Sequence, residues 1–128
     1  MEKEEYNKLS KEILDASISV HKEMGPGLLE SVYEACLEKE LKLREITTKS
    51  QVRLPLFYRG EELSKDFRID LLIDNEIIIE IKAVEIILPV HQAQIISYLK
   101  LADKRLGFLI NFNEPLLKNG FKRFVNEF

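Results

Sequence analysis

The chain has 128 residues, of which 45% are hydrophobic and 32% are charged, a mixture typical of a folded globular protein. This length leaves no room for a second core of ordinary size, so we expect a single domain over residues 1–128. The formal net charge of -3 argues against nucleic-acid binding through bulk positive charge, but it is compatible with a small metal site that contacts phosphates.

The sequence also indicates the cellular location of the protein. Its single cysteine, Cys36, has no partner for an internal disulfide. No apolar run approaches the roughly 20 residues that a membrane-spanning helix needs. The first five residues are polar and acidic, unlike a signal peptide. These features predict a cytoplasmic protein with no membrane partner.

The charge is unevenly distributed along the chain. Residues 1–89 carry a net charge of -6, and residues 90–128 carry +3. The basic C-terminal third has two readings, an ordinary solvated face or a surface that meets phosphates.

The first half of the chain predicts two helices and a strand. Apolar residues at helical spacing predict a helix over residues 6–24, which Gly25-Pro26-Gly27 ends. A second apolar stripe predicts a helix over residues 28–44. In residues 51–58 apolar side chains alternate with other types, which predicts a strand. Pro55 indicates an edge or a bulge there, since proline has no N–H to donate to a neighbouring strand.

The second half predicts more strands and one further helix. Strands are expected over residues 64–73 and 77–83, a helix over 90–102 and a buried strand over 106–112. The tail, residues 117–128, fits either a short strand or a helix. The order is thus two helices, a three-stranded meander, a helix and a fourth strand. It predicts an α/β fold around one sheet, with helices on both faces.

The hairpin between the second and third strands is the most informative segment. Odd positions in 67–73 and 77–81 are apolar and are expected to form one core-facing side. A three-residue turn centred on Asn75, a residue that tolerates a left-handed conformation, pairs positions whose numbers sum to 150. That register places Asp70 directly opposite Glu80, with Cβ atoms about 5 Å apart.

Two opposed carboxylates need a compensating cation, because like charges in a cross-strand pair are destabilising. Lys82 lies on the same side and could supply it. A divalent ion is the alternative, since Mg2+ prefers carboxylate oxygens and retained waters. A plain surface salt bridge between Glu80 and Lys82, with Asp70 solvated, remains open from these residues alone.

The helices contribute further candidates. Glu30 shares a partly apolar flank with Tyr33, although it could simply complement the helix dipole, and Glu34 is expected to face solvent. Gln94 and Tyr98, four residues apart, project from one side of the third helix, as a site or as an ordinary flank. His91 is expected to make a local hydrogen bond at that helix's start, with a proton shuttle near the site as the alternative.

Several separated segments, in order, resemble the GxxExxY protein family of the PD-(D/E)XK nuclease superfamily. Residues 27–33 read Gly-x-x-Glu-x-x-Tyr, and residues 80–82 read Glu-x-Lys. Residues 94–98 read Gln-x-x-x-Tyr, as in the RecB-like branch of the superfamily. Further similarity covers residues 83–85, 89–93 and 109–113. The resemblance implies a restriction-endonuclease-like core with a mixed central sheet.

The same resemblance implies roles for individual residues. The implied metal ligands, for Mg2+ or Mn2+, are Glu30, Asp70, Glu80 and the backbone carbonyl of Ile81. The implied catalytic residues are Asp70, Glu80, Lys82 and Gln94, with Tyr98 and Tyr33 in support. Ile69 stands where the superfamily's proline would be. The implied reaction is metal-dependent hydrolysis of phosphodiester bonds in nucleic acid, with DNA favoured as the partner.

Other readings stay open at this point. The chain could be a catalytically silent module of the same fold that binds or regulates within a larger complex. It could also act on a smaller phosphate such as a nucleotide. A homodimer or a protein partner is compatible with the small size. The sequence does not decide between DNA and RNA, single and double strands, or endo and exo cleavage.

Overall fold

Two amphipathic helices open the chain, as the spacing of their apolar residues predicts. In the computed structural model, which describes residues 1–128, α1 spans Lys3–Met24 and α2 spans Glu30–Leu43. The third helix, α3, spans Pro89–Ala102 and begins with proline, which fits the first turn of a helix. None of the helices is both long and apolar enough to cross a membrane.

Five strands form one mixed sheet in the order β1-β2-β3-β4-β5. Their bounds are Thr48–Tyr58, Glu61–Ile73, Ile77–Lys82, Leu106–Asn111 and Phe121–Val125. The pair β3 and β4 is parallel, with α3 as the crossover, and the other neighbouring pairs are antiparallel. The α/β, restriction-endonuclease-like core predicted from the sequence is therefore confirmed.

The sheet lies between two layers of helix, and each layer forms its own apolar core. On one face, α1 and α2 pack on the odd-numbered residues of β3, among them Ile79 and Ile81. On the other face, α3 packs on Ile78 and Leu109. All six residues of β4 are buried, which confirms the prediction of a strand covered on both faces.

The hairpin register agrees with the turn prediction. Leu71 pairs with Ile79 and Ile73 with Ile77, so paired numbers sum to 150. Asp74 and Asn75 both adopt left-handed conformations in the turn, with φ of 52° and 57°. The predicted irregularity at Pro55 is also present, because the β1–β2 register shifts just after it.

Two expectations about this half of the chain need correction. Phe67 and Ile69 do not share a face with Leu71, because they pack with the α3-side core and Leu71 packs with the α1–α2 side. The alternation shifts at Asp70, where the regular ladder to β3 ends. The tail contains both candidate elements, a 3-10 turn at Leu117–Gly120 followed by β5.

Candidate active site

Asp70 and Glu80 meet where the β2–β3 ladder stops, one residue beyond the Leu71–Ile79 pair. The backbone N–H of Asp70 donates to Glu80 Oε2 at 2.9 Å, and the N–H of Ile81 donates to Asp70 Oδ2 at 2.8 Å. Each carboxylate thus accepts a hydrogen bond from the opposite strand. Each side chain takes the place of a ladder carbonyl as the acceptor for the opposite strand.

Burial makes this pair electrostatically unfavourable. Glu80 is only 3% exposed, and burial, followed by the charge of Asp70, raises its pKa to about 8. Burial also raises the pKa of Asp70, although the hydrogen bond from Ile81 acts in the opposite direction. A site that holds two carboxylates out of water in this way favours a bound cation.

Lys82 is the nearest cation along β3. It is half-buried and forms no direct ion pair, yet its charge lowers the pKa values of both Asp70 and Glu80. The surface salt bridge between Glu80 and Lys82 that the sequence left open is therefore absent. Lys82 instead lines a cleft against the first turns of α3, whose other lining residues are Val90, His91, Ala93, Gln94 and Ser97.

The two candidate residues of α3 contact each other. Gln94 Nε2 donates to the Tyr98 hydroxyl at 3.1 Å, and Tyr98 is buried against Phe67 with ring centroids 5.7 Å apart. Burial, followed by the charge of Glu80, raises the pKa of Tyr98. His91 accepts the N–H of Leu88 at 3.0 Å, confirming the predicted local bond.

The two candidates of α2 differ in their surroundings. Glu30 is exposed at the first turn and lines a shallow cleft with Ala83, the residue after β3. Tyr33 is fully buried and stacks on Phe112, with centroids 4.6 Å apart. Its hydroxyl donates to Gly25 O and accepts from the N–H of Leu28, so it fixes the loop that leads to Glu30.

Glu34 and Gln51 lie beside Asp70; the sequence predicted that Glu34 faces solvent, and it did not single out Gln51. Glu34 is half-buried rather than solvent-facing, because it lies over the sheet and accepts a hydrogen bond from Gln51 Nε2 at 2.8 Å. The same amide lies 3.3 Å from Asp70 Oδ1. Burial and the charge of Asp70 raise the pKa of Glu34. The sequence offered one signal for Glu34: it lies four residues after Glu30 and therefore on the same side of the helix.

Asn111 is a further residue that the sequence did not single out. Its fully buried side chain accepts the N–H of Val84 at 3.1 Å and donates to Val84 O at 2.8 Å. The amide extends the parallel pairing of β3 and β4 beyond Lys82, as a further backbone unit would. It therefore fixes the chain immediately after the Glu-x-Lys segment.

The donor chemistry fits a hard divalent cation held by few side chains. No group of three or more His, Cys, Asp or Glu side chains converges in a ligand arrangement. The carboxylates of Asp70 and Glu80 do lie side by side on neighbouring strands. One or two carboxylates with retained waters is the ligand set that Mg2+ accepts, and Mn2+ also suits oxygen donors.

Comparison with known proteins agrees with this geometry. No curated protein and no solved structure matches the chain. A family model of the PD-(D/E)XK nuclease superfamily, whose members generally use divalent metal ions, matches residues 7–124. The narrower resemblance to the GxxExxY family and the RecB-like branch stays a prediction. Because the match covers nearly the whole chain, this protein belongs to the PD-(D/E)XK nuclease superfamily.

Proposed function

We propose that this chain is a Mg2+- or Mn2+-dependent nuclease that hydrolyses phosphodiester bonds of nucleic acid. The observation that carries the proposal is the pair of carboxylates at the end of the β2–β3 ladder, beside Lys82: Glu80 accepts the N–H of Asp70, and Asp70 accepts the N–H of Ile81. A purely structural role gives no reason to place two carboxylates together at the end of a ladder, since burial without a cation destabilises both.

The ion would be held by Asp70, Glu80 and the Ile81 carbonyl, with Glu30 as a further ligand. In an extended strand the N–H and C=O of one residue point to the same edge. Since the Ile81 N–H points to Asp70, we expect its carbonyl to be directed there too. When bound, the ion supplies a water of lowered pKa and stabilises charge on the reacting phosphate.

The remaining residues act on substrate or on one another. Lys82, which lacks an ion-pair partner, positions the attacking water or neutralises phosphate charge in the cleft below α3. Gln94 orients the nucleic-acid backbone or a water. Tyr98 holds the Gln94 amide through its hydroxyl, and Tyr33 holds the loop before Glu30.

The expected partner is nucleic acid, with DNA favoured over RNA. Five of the six cations after residue 89 are exposed and available to phosphates: Lys100, Arg105, Lys118, Lys122 and Arg123. These exposed cations offset the acidic N-terminal part of the chain and are compatible with contacts to phosphates. A cytoplasmic location and a homodimer or protein partner stay predictions.

The proposal is tested by incubating the protein with single- and double-stranded DNA and RNA, with Mg2+ or with Mn2+. We expect metal-dependent cleavage that Asp70→Asn and Lys82→Met each reduce at least 100-fold. Matched controls remove the same charges elsewhere, Asp74→Asn in the exposed hairpin turn and Lys11→Met on the exposed side of α1. Both controls should cleave as the unmodified protein does.

The other outcomes are equally informative. Cleavage that survives Asp70→Asn would contradict the proposal, because it would come from another site or a contaminant. Metal binding without cleavage of any polymer would favour the catalytically silent module. Hydrolysis restricted to nucleotides would indicate a small-phosphate substrate.

A further inference from the structure

Gln51 connects the two elements that face each other across the site. Its Nε2 donates to Glu34 Oε1 of α2 at 2.8 Å and lies 3.3 Å from Asp70 Oδ1 of β2. A primary amide carries two protons, so one group can serve both carboxylates. No other side chain donates a hydrogen bond to either of these carboxylates.

The backbone of Gln51 is strained for its residue type. It has φ of +50° in the middle of β1, a left-handed conformation that a non-glycine residue rarely adopts in a strand. Gln51 lies between the pairs Ser50–Leu71 and Val52–Ile69, opposite Asp70. The strain therefore occurs at the position whose side chain reaches the active-site aspartate.

The surroundings give little structural reason for this arrangement. Gln51 is exposed and fills no part of either apolar core. A hydrogen bond at an exposed position contributes little net stability, whereas a non-glycine residue at positive φ costs stability. A glycine would adopt this conformation without strain, and the Gln51 side chain adds nothing to either apolar core.

We propose that Gln51 is a positioning residue, whose bridging amide holds Asp70 against Glu34 in the orientation that metal binding needs. The inference rests on the proposed metal-dependent function. With the bridge in place, Asp70 Oδ1 is restrained by the amide and Oδ2 by the N–H of Ile81. Without it, the carboxylate of Asp70 keeps only the N–H of Ile81, and Glu34 and Asp70 face each other as two carboxylates with no donor between them.

The test measures Mn2+ affinity by calorimetry and melting temperature in EDTA for Gln51→Gly and Gln51→Asn. Glycine removes both strain and amide. Asparagine tolerates the left-handed backbone but is one methylene shorter and cannot span both carboxylates. The matched control is Glu45→Gly, which relieves the same kind of strain (φ of 61°) at an exposed position after α2. Unmodified protein and Asp70→Asn are titrated alongside.

We expect both Gln51 variants to bind Mn2+ about tenfold more weakly, at the lower end of the roughly 10- to 100-fold usual for loss of an outer contact to a ligand. Their melting temperatures in EDTA should not fall below that of the unmodified protein, and Glu45→Gly should keep full affinity. Retained affinity, or a loss that accompanies a lowered melting temperature in both variants, would overturn the inference. If the unmodified protein and Asp70→Asn bind Mn2+ equally, or neither binds, the proposed function itself fails, and the inference with it.

Discussion

Glu80→Gln should stabilise the fold, and increasingly so as the pH rises. The substitution keeps the size of the side chain and an oxygen that can accept the N–H of Asp70. It removes a charge that burial and Asp70 both disfavour. In the unmodified protein these two effects raise the pKa of Glu80 from 4.5 to about 8. If the Glu80 carboxylate stabilised the fold, Glu80→Gln would instead lower the free energy of unfolding.

The magnitude follows from linkage. Between pH 4.5 and about 8 the folded state holds a proton that the unfolded state has lost, so the free energy of unfolding falls with rising pH. At about 1.4 kcal/mol for each unit of pKa, ionisation of Glu80 opposes folding by about 3 kcal/mol at pH 7 and about 5 kcal/mol above pH 8. Below pH 4.5 the effect vanishes, since the group is neutral in both states.

The assay is urea denaturation of both proteins at pH 5, 7 and 9, in EDTA so that no divalent ion pairs with the carboxylates. The difference in unfolding free energy isolates Glu80 from other groups that titrate in the same range. We expect the variant to be slightly more stable at pH 5 and several kcal/mol more stable at pH 9. A variant that is less stable at pH 9, or a difference that does not vary with pH, would refute the reasoning.

Three further predictions concern the surroundings of the site and the ion. Tyr33→Phe should lower the unfolding free energy by about 1–2 kcal/mol in urea denaturation, because two backbone groups lose their partner, while exposed Tyr58→Phe should have no effect. Asn111→Leu should cost about 2–4 kcal/mol, since the N–H and C=O of Val84 lose their buried partners; unchanged stability would show that water replaces the amide. EDTA should abolish cleavage of nucleic acid and excess Mn2+ should restore it, whereas cleavage that persists in EDTA would exclude metal dependence.

Much of the fold follows from local patterns. A three-residue turn fixes the parity of a hairpin, so the spacing around Asn75 was enough to place Asp70 opposite Glu80. The apolar run of β4 predicted burial on both faces, since only Asn111, its last residue, carries a polar side chain. The tail resisted assignment because two short elements of different period follow each other within it.

The missed residues depend on long-range geometry. Gln51 lies opposite Asp70 only because the pairing of β1 with β2 shifts by two residues just after Pro55. The alternation of apolar and polar residues does not show how large such a shift is. The reversal of Ile69 relative to Leu71 occurs elsewhere, at Asp70, opposite the left-handed backbone of Gln51. Strict alternation along β2 therefore predicted the wrong side for Ile69.

The most direct test of the central claim is a crystal structure of the protein with Mn2+, with anomalous diffraction used to locate the ion. We predict one strong anomalous peak bonded to carboxylate oxygens of both Asp70 and Glu80, and its loss in crystals of Asp70→Asn. No peak at saturating Mn2+, or a peak only at sites that contact neither residue, would contradict the account.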